Sequence, residues 1–163
     1  MKNKLILNTL TGYFLLHKLF RKNQLIKNIQ KNEGYRNKPY KDKLGNLTIG
    51  YGHLINKSEK HLLIKKQKKQ LLKNIFYSDL NHAIKNFKDN YKAKDIPNNV
   101  QEIIIEMIYQ LGIKTLLKFK KFNTYIEEKK YYLAALEMID SRWNKQTPKR
   151  VHKLISILLK YND

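Results

Sequence analysis

The sequence predicts an α+β fold that is predominantly α-helical and carries one small β-hairpin. Apolar residues recur at helical spacing through most of the chain, and two short strand-like segments flank a Gly-Asn pair at residues 45 and 46. The 163 residues contain no internal repeat and no low-complexity linker, which fits a single domain. We therefore expect one domain over residues 23–163, with a small hairpin lobe at about 33–60 and a helical lobe at about 64–163.

The composition supplies a hydrophobic core but is strongly basic. Apolar residues make up 42% of the chain, including 11 Tyr, 6 Phe and one Trp, which argues against general disorder. The formal net charge of +21 predicts attraction to polyanions such as nucleic acid, anionic lipid or a bacterial envelope. Lysine outnumbers arginine and no zinc-finger or RRM signature occurs, so we expect no specific nucleic-acid recognition. The absence of cysteine excludes disulfides and Cys-based zinc sites.

Residues 1–22 have basic ends and an apolar middle, as signal peptides and membrane anchors do. Polar residues such as Asn8, Thr11 and Lys18 interrupt the apolar run. The run is shorter than the ~20 residues that a spanning helix needs, and no small-residue cleavage site follows. We expect a helical N-terminal extension that packs on the domain, with membrane-surface attachment or disorder as alternatives, and neither a signal peptide nor a stable membrane span.

Glu33 stands at the predicted C-terminal end of a helix. Apolar residues recur at helical spacing between about Gln24 and Asn32, and Gly34 then offers a stop. The helix macrodipole disfavours an anion at that end. A glutamate there either costs stability or tends to keep its proton.

The next segment predicts the hairpin. Residues from Pro39 to Lys43 and from Leu47 to Tyr51 fit two short strands, and the Gly-Asn pair between them suits positive φ. Asp42 and Thr48 are then expected on facing arms of the hairpin.

Helical periodicity and capping residues predict five further segments. The second of them is apolar on nearly every side and ends at Gly112, so we expect it to form the centre of the domain. The segments run from about Ile64 to Phe87, Val100 to Leu111, Thr115 to Glu127 and Lys130 to Asp140, followed by a helix with Thr147 as cap and Pro148 as its first residue.

Two carboxylates in different surroundings fit the hydrolysis of a glycosidic bond. That reaction needs a proton donor for the leaving oxygen and a second group that attacks the anomeric carbon or prepares a water. Glu33 suits the acid role, while Asp42 and the Thr48 hydroxyl suit the holding of a water. Gly50 and Gly52 allow their backbone to approach a substrate or another strand. The spacing alone is weak in a chain with 13 acidic residues, so a non-catalytic pair stays open on this ground.

The whole string "EGYRNKPYKDKLGNLTIGYGH", residues 33–53, resembles the catalytic segment of the phage-type lysozymes, glycoside hydrolase family 24. That segment has a Glu, an Asp nine residues on, a Thr six further, then Ile, Gly, any residue, Gly and His. "DIPNNVQEIIIEMIYQLG" is similar to the family's long central helix, and "SRWNKQTPKR", residues 141–150, to a segment of its T-even phage members. The resemblance covers about residues 24–160. It implies a lysozyme-like fold with the active site on the small hairpin lobe and a helical C-terminal lobe.

The resemblance also implies roles for individual residues. Glu33 is expected to be the general acid, and Asp42 and Thr48 to position the attacking water, with inversion at the anomeric carbon. Three pairs are implied: Arg150 with Glu33, His53 with Asp79, and Gln110 with Trp143. Substrate binding is expected of Leu54, Tyr109, Gly50, Gly52 and Gln110, and support of the active site of Arg150, His53, Asp79, Trp143, Gln146 and Thr147.

Two positions depart from the T-even members. Phe122 and Glu137 stand where those enzymes have small polar cleft residues, which leaves the subsites there open. The loop between His53 and the next long helix is also shorter than in those enzymes. A metal role for His53 is not expected, since no second His or Cys stands at ligand spacing.

These features predict a monomeric lysozyme that hydrolyses the β-1,4 bond between N-acetylmuramic acid and N-acetylglucosamine in bacterial peptidoglycan, without cofactor or metal. The basic surface would also attract anionic envelope polymers non-specifically. Two alternatives stay open: a lytic transglycosylase on the same bond, and a non-catalytic cationic protein that binds membranes or nucleic acid. We expect synthesis in a host cytoplasm and action on the cell wall or in the periplasm after holin-type release.

Overall fold

The computed structural model describes residues 23–42 and 45–161. The expected extension over residues 1–22 lies outside them. The described residues form an α+β fold dominated by helices, with one three-stranded antiparallel sheet, which confirms the predicted class. In chain order the elements are α1 (23–33), β1 (Arg36–Lys41), β2 (Leu47–Gly50), β3 (His53–Leu54), a 3-10 helix (Lys57–Leu63), α2 (Lys69–Asn90), a second 3-10 helix (Ala93–Asp95), α3 (Asn98–Leu111), α4 (Ile113–Leu116), α5 (Lys120–Glu127), α6 (Tyr131–Ile139), α7 (Arg142–Gln146) and α8 (Pro148–Leu158).

The sheet has the strand order β1-β2-β3. Tyr40 pairs with Thr48 and Arg36 with Gly50, with a shift of register between the two pairs. The first strand was predicted to begin at Pro39 but begins at Arg36, because an edge strand tolerates a proline that donates no ladder hydrogen bond. The two-residue strand β3 was not predicted, since it is too short to show a pattern.

The hairpin turn uses positive φ at one residue of the Gly-Asn pair. Gly45 has φ +85°, whereas Asn46 is not in that region, so the prediction for Asn46 was wrong. The side chain and N–H of Asn46 bond the carboxylate of Asp42 instead. This contact joins the two ends of the turn.

The helix predicted from Ile64 begins later, at Lys69. The preceding residues form a 3-10 helix whose capping box joins Asn56 and Glu59, and Ile64 beyond it is 80% exposed. The apolar stripe expected on α2 is buried as predicted, at Leu72, Phe76, Leu80, Ala83 and Phe87.

The central helix lies where it was predicted. In α3, Val100, Ile104 and Met107 are fully buried, and Gly112 ends the helix with φ +76°. The α3 helix packs against both α2 and α8. Residues of all the longer helices therefore share one core around it.

One prediction for the later helices was wrong, and another was confirmed only in the position of the residues. The segment predicted as one helix from Thr115 to Glu127 is broken into α4 and α5, and Asn123 of α5 donates to the Leu116 carbonyl across the break. Thr147 is the N-cap residue of α8 and Pro148 its first residue, as predicted, but the Thr147 hydroxyl donates to the Trp143 carbonyl of α7 at 3.2 Å and forms no capping hydrogen bond with α8. The short helix α7 was itself not predicted.

A second, smaller core fastens the sheet to the helices. It consists of Ile49 of β2, Leu62 of the 3-10 helix and Leu72 of α2, all at most 1% exposed. The sheet is thereby held against α2.

Candidate active site

Glu33 is the last residue of α1, and the structure brings it together with Arg150 of α8. Arg150 Nη1 donates to Glu33 Oε1 at 2.7 Å. The Glu33 side chain is 17% exposed and that of Arg150 is 7% exposed, so the ion pair is nearly enclosed. Leu25 and Ile29 of α1 lie in the main core and fix the helix that carries the glutamate.

Gly52 lies directly against the Glu33 carboxylate. A Cβ at this position would stand 2.8 Å from Glu33 Oε2, and the residue has φ +82°. Neighbouring Tyr51 accepts a hydrogen bond on its carbonyl from the Tyr109 hydroxyl of α3, at 2.8 Å. The turn between β2 and β3 is thus anchored to α3, and only a glycine leaves room there for the glutamate.

Asp42 and Thr48 are both bonded to Asn46. Asp42 accepts from the Asn46 N–H at 2.8 Å and from its amide group at 3.1 Å. The Thr48 hydroxyl donates to the Asn46 carbonyl at 3.2 Å, and Thr48 is 2% exposed. The sequence predicted Asn46 only as a turn residue. Its position between Asp42 and Thr48 was the signal that it could contact both.

A buried carboxylate that sequence reasoning missed binds the same arginine. Glu106 of α3 is 3% exposed, and its Oε1 accepts from Arg150 Nε at 2.8 Å and from the Asn32 amide group at 2.6 Å. Arg150 Nη2 is buried and has no hydrogen-bond partner among the described residues. A glutamate within the run of apolar residues from Ile103 to Ile108 was the signal, since a buried charge needs a partner.

His53 of β3 lies between two carboxylates. Its Nδ1 is 2.9 Å from Asp79 of α2, the predicted partner, and its Nε2 is 3.1 Å from Glu59 of the 3-10 helix. The hydrogen bond to Asp79, aided by Glu59 and opposed by burial, raises the pKa of His53. Burial raises the pKa of Glu59, but the hydrogen bonds from the Asn56 N–H and from His53 outweigh it, so the pKa of Glu59 is lowered overall. The histidine therefore joins the sheet to two helices.

Two aromatic side chains behind the site have satisfied polar groups. Trp143 is 2% exposed and its Nε1 donates to Gln110 at 2.8 Å, so the structure brings this predicted pair together. Burial raises the pKa of Tyr109, which keeps its hydroxyl a neutral donor to the Tyr51 carbonyl. Both hydrogen bonds join parts of the protein to one another. A substrate role for Gln110 and Tyr109 stays a prediction.

The remaining predicted residues differ in accessibility. Leu54 on β3 is 57% exposed, and Gln146 is exposed at the end of α7. Gly50 has Leu72 of α2 at 3.5 Å from where a Cβ would stand, so on that side it faces the helix. A role for these residues in substrate binding or support stays a prediction.

The two positions that depart from the T-even members differ in burial. Phe122 is fully buried in the main core, so it lines no open subsite. Glu137 is one-third exposed, with Lys121 Nζ at 3.9 Å.

Basic side chains gather beside the sheet. An open depression of about 440 Å³ between β1 and the segment before α2 is lined by Lys66, Lys68 and Lys69, together with Tyr35 and Asn37. Such a surface attracts anionic polymers in a manner that salt weakens.

The site thus combines a carboxylic acid group at a helix end with a second carboxylate on a polar turn. A carboxyl group that is largely enclosed can donate a proton, and a carboxylate held by hydrogen bonds next to a hydroxyl can orient a water. Over residues 23–42 and 45–161, no helix is both long and apolar enough to cross a membrane.

Comparison with known proteins found matches over most of the chain. The family model described as phage lysozyme matches residues 30–156 of the chain. The chain is 34% identical to "Probable T4-type lysozyme 2" of Dictyostelium discoideum, over 77% of this chain and 88% of that protein. It is 35% identical to "Probable T4-type lysozyme 1" of the same organism, over 78% and 88%.

Proposed function

Since the chain belongs to the phage lysozyme family, and is therefore a glycoside hydrolase, we propose that it hydrolyses the β-1,4 bond between N-acetylmuramic acid and N-acetylglucosamine in bacterial peptidoglycan. The observation that carries this proposal is the position of Glu33. Its carboxyl group lies against the Gly52 turn and on Arg150, at the edge of the hairpin that bears Asp42 and Thr48.

Glu33 is the general acid in this proposal. Its carboxyl proton passes to the glycosidic oxygen as the bond to the anomeric carbon breaks, which leaves Glu33 ionised. Arg150 Nη1, at 2.7 Å, then stabilises the carboxylate that forms. The enclosed setting of the pair strengthens this stabilisation.

Asp42 and Thr48 hold the attacking water. Asp42 accepts a proton from the water while the Thr48 oxygen accepts a hydrogen bond from it, and the water attacks the anomeric carbon from the opposite face. The two hydrogen bonds from Asn46 hold the Asp42 carboxylate in place for this role. Attack by water in one step inverts the configuration at the anomeric carbon.

The basic surface favours this substrate. Cell-wall glycan lies among anionic envelope polymers, and a chain of net charge +21 is drawn to them non-specifically. We propose that the protein acts at the cell wall as a monomer and without cofactor. The rate of cell lysis is expected to fall as salt is added, because salt screens this attraction.

Glu33→Gln tests the acid role. Purified parent protein is expected to clear a suspension of outer-membrane-permeabilised Gram-negative cells, and Glu33→Gln to be slower by at least about a hundredfold. The variant should stay folded, because Arg150 keeps its bond to Glu106 and a glutamine oxygen still accepts from Nη1. Glu128→Gln, at an exposed ion pair with Lys130, is the matched control and should lyse like the parent.

Mass spectrometry of digested peptidoglycan tests the reaction type. Hydrolysis leaves reducing ends, whereas a lytic transglycosylase leaves anhydro-muramic ends. Anhydro products would therefore replace the hydrolase by a transglycosylase. Undiminished lysis by both Glu33→Gln and Asp42→Asn would instead show that lysis comes from the positive charge.

A further inference from the structure

Arg150 is shared by two carboxylates, and the mechanism above uses only one of them. Glu106 lies in the middle of α3 and is more deeply buried than Glu33. It bonds both Arg150, the cation on Glu33, and Asn32, the residue before Glu33 in α1. Glu106 is therefore linked to Glu33 in two ways, through Arg150 and through the neighbouring residue Asn32.

The charges of this cluster bear directly on proton donation. An arginine keeps its charge at every working pH, so Arg150 alone would favour an ionised Glu33 and oppose its use as an acid. With both glutamates ionised, the enclosed cluster has one more negative than positive charge, which burial disfavours. A single proton shared by Glu33 and Glu106 removes that excess.

The two carboxyl groups differ in the hydrogen bonds that they accept. Glu106 accepts two, from Arg150 and Asn32. Glu33 accepts one, from Arg150, among the described residues, and it retains more contact with solvent. Glu106 is thus the more firmly held partner of Arg150.

We infer that Glu106 is a positioning residue for catalysis: it holds Arg150 and offsets its charge, so that Glu33 can carry the proton it donates. The inference rests on the proposed acid role of Glu33. Besides Arg150 and Glu106, Tyr40 of β1 and Tyr109 of α3 also face Glu33 electrostatically. Burial raises the pKa of both tyrosines, so they stay neutral and bring no charge to the site.

The test is the dependence of kcat/KM on pH in Glu106→Gln, measured with purified peptidoglycan. The alkaline limb, where the acid loses its proton, is expected to move to lower pH by roughly one unit, so that activity at the parent's midpoint falls about fivefold. Glu106→Asp restores the charge and should return the limb toward its original position. Asp89→Asn removes an exposed acid from α2 and should leave the limb unchanged.

If the alkaline limb of the kcat/KM profile of Glu106→Gln coincides with that of the parent, the inference is overturned, whatever the overall rate of the variant. Carbon-13 NMR of the Glu33 carboxyl group gives a second measurement that needs no activity, and its midpoint should move in the same direction. If the parent cleaves no peptidoglycan at any pH, the proposed function fails while this titration still tests Glu106. Should Glu106→Gln not fold, Asn32→Ala takes its place: it removes one hydrogen bond from Glu106 and should move the midpoint the same way, and an unmoved midpoint counts against the inference.

Discussion

Asn46 donates two hydrogen bonds to the carboxylate of Asp42, one from its backbone N–H at 2.8 Å and one from its side-chain amide at 3.1 Å. The same residue accepts the Thr48 hydroxyl on its carbonyl. One turn residue therefore orients both groups that are proposed to hold the water. The geometry of the hairpin, and not only its two candidate residues, bears on the reaction.

Asn46→Ala is expected to slow catalysis without preventing folding. The variant loses the amide donor to Asp42 but keeps the backbone donor, so about 1 kcal/mol of orientation is lost, or roughly a fivefold fall in kcat. KM should change little, since Asn46 is assigned no substrate contact. The measurement is steady-state kinetics on peptidoglycan, with Asn74→Ala on the exposed face of α2 as control. An unchanged kcat would show that the side-chain amide of Asn46 is not needed to orient Asp42.

Gly52→Ala is expected to lose both stability and activity. The new Cβ would stand 2.8 Å from Glu33 Oε2, and the residue must keep φ +82°, so the carboxylate or the turn has to move. The φ alone costs about 1–2 kcal/mol for a residue with a Cβ. Gly112→Ala has φ +76° and no atom within 4 Å of the added Cβ, so it shows the effect of backbone strain without a steric contact. Thermal melts and lysis rates of both variants separate the two effects: activity should fall far more in Gly52→Ala, and equal losses would contradict the contact with Glu33.

The His53 cluster is expected to make stability depend on pH. His53 has a raised pKa in the folded state, so its contribution is complete below the unfolded value of 6.5 and is lost as pH rises through the folded value. Glu59 has a lowered pKa, so its contribution is complete above 4.5 and is lost as pH falls through its folded value. The cluster therefore stabilises most between about pH 4.5 and 6.5.

His53→Gln is the variant that measures this contribution. The Tm of the parent should exceed that of His53→Gln most at about pH 5.5, and the gap should narrow toward about pH 9. Charge-assisted hydrogen bonds of this kind contribute about 2 kcal/mol each when enclosed. His82→Gln, on the exposed face of α2, should show no such dependence. A gap that stays constant with pH would show that His53 is uncharged in the folded protein.

Gln110→Met is expected to destabilise the helical part of the fold. Trp143 would keep its buried position but lose the acceptor of its Nε1 at 2.8 Å, and an unsatisfied buried donor costs about 1–3 kcal/mol. Urea denaturation measures the loss. Gln70→Met on the exposed start of α2 is the control and should stay within about 0.5 kcal/mol of the parent. A Gln110→Met midpoint equal to that of the control would mean that the indole finds another acceptor.

Local sequence signals predicted the elements that they specify by themselves. The apolar stripe of α2, the burial of α3 and its end at Gly112 follow from side-chain periodicity and from a residue that accepts positive φ. The turn at Gly45 follows from the same conformational freedom. These features depend on residues close together in the chain, which a reader of the sequence can compare directly.

Other features escaped prediction because polar groups that lie close together in the chain have competing hydrogen-bond partners. The break between α4 and α5 interrupts a segment with continuous helical periodicity, and Asn123 satisfies the Leu116 carbonyl across it. The Thr147 hydroxyl, expected to cap α8, bonds the Trp143 carbonyl of the preceding helix. In each case a polar group has more than one possible partner, and only the packed structure selects one.

The sequence by itself determined the fold class, the position of the central helix and the three candidates Glu33, Asp42 and Thr48 within one short string. Only the tertiary structure decided what surrounds them. Arg150 and Glu106 lie 44 residues apart in the chain, and Arg150 and Glu33 lie 117 apart, yet their side chains meet in one enclosed cluster. The charge that a buried carboxyl group carries depends on every group packed against it, and those groups are brought together only when the chain folds.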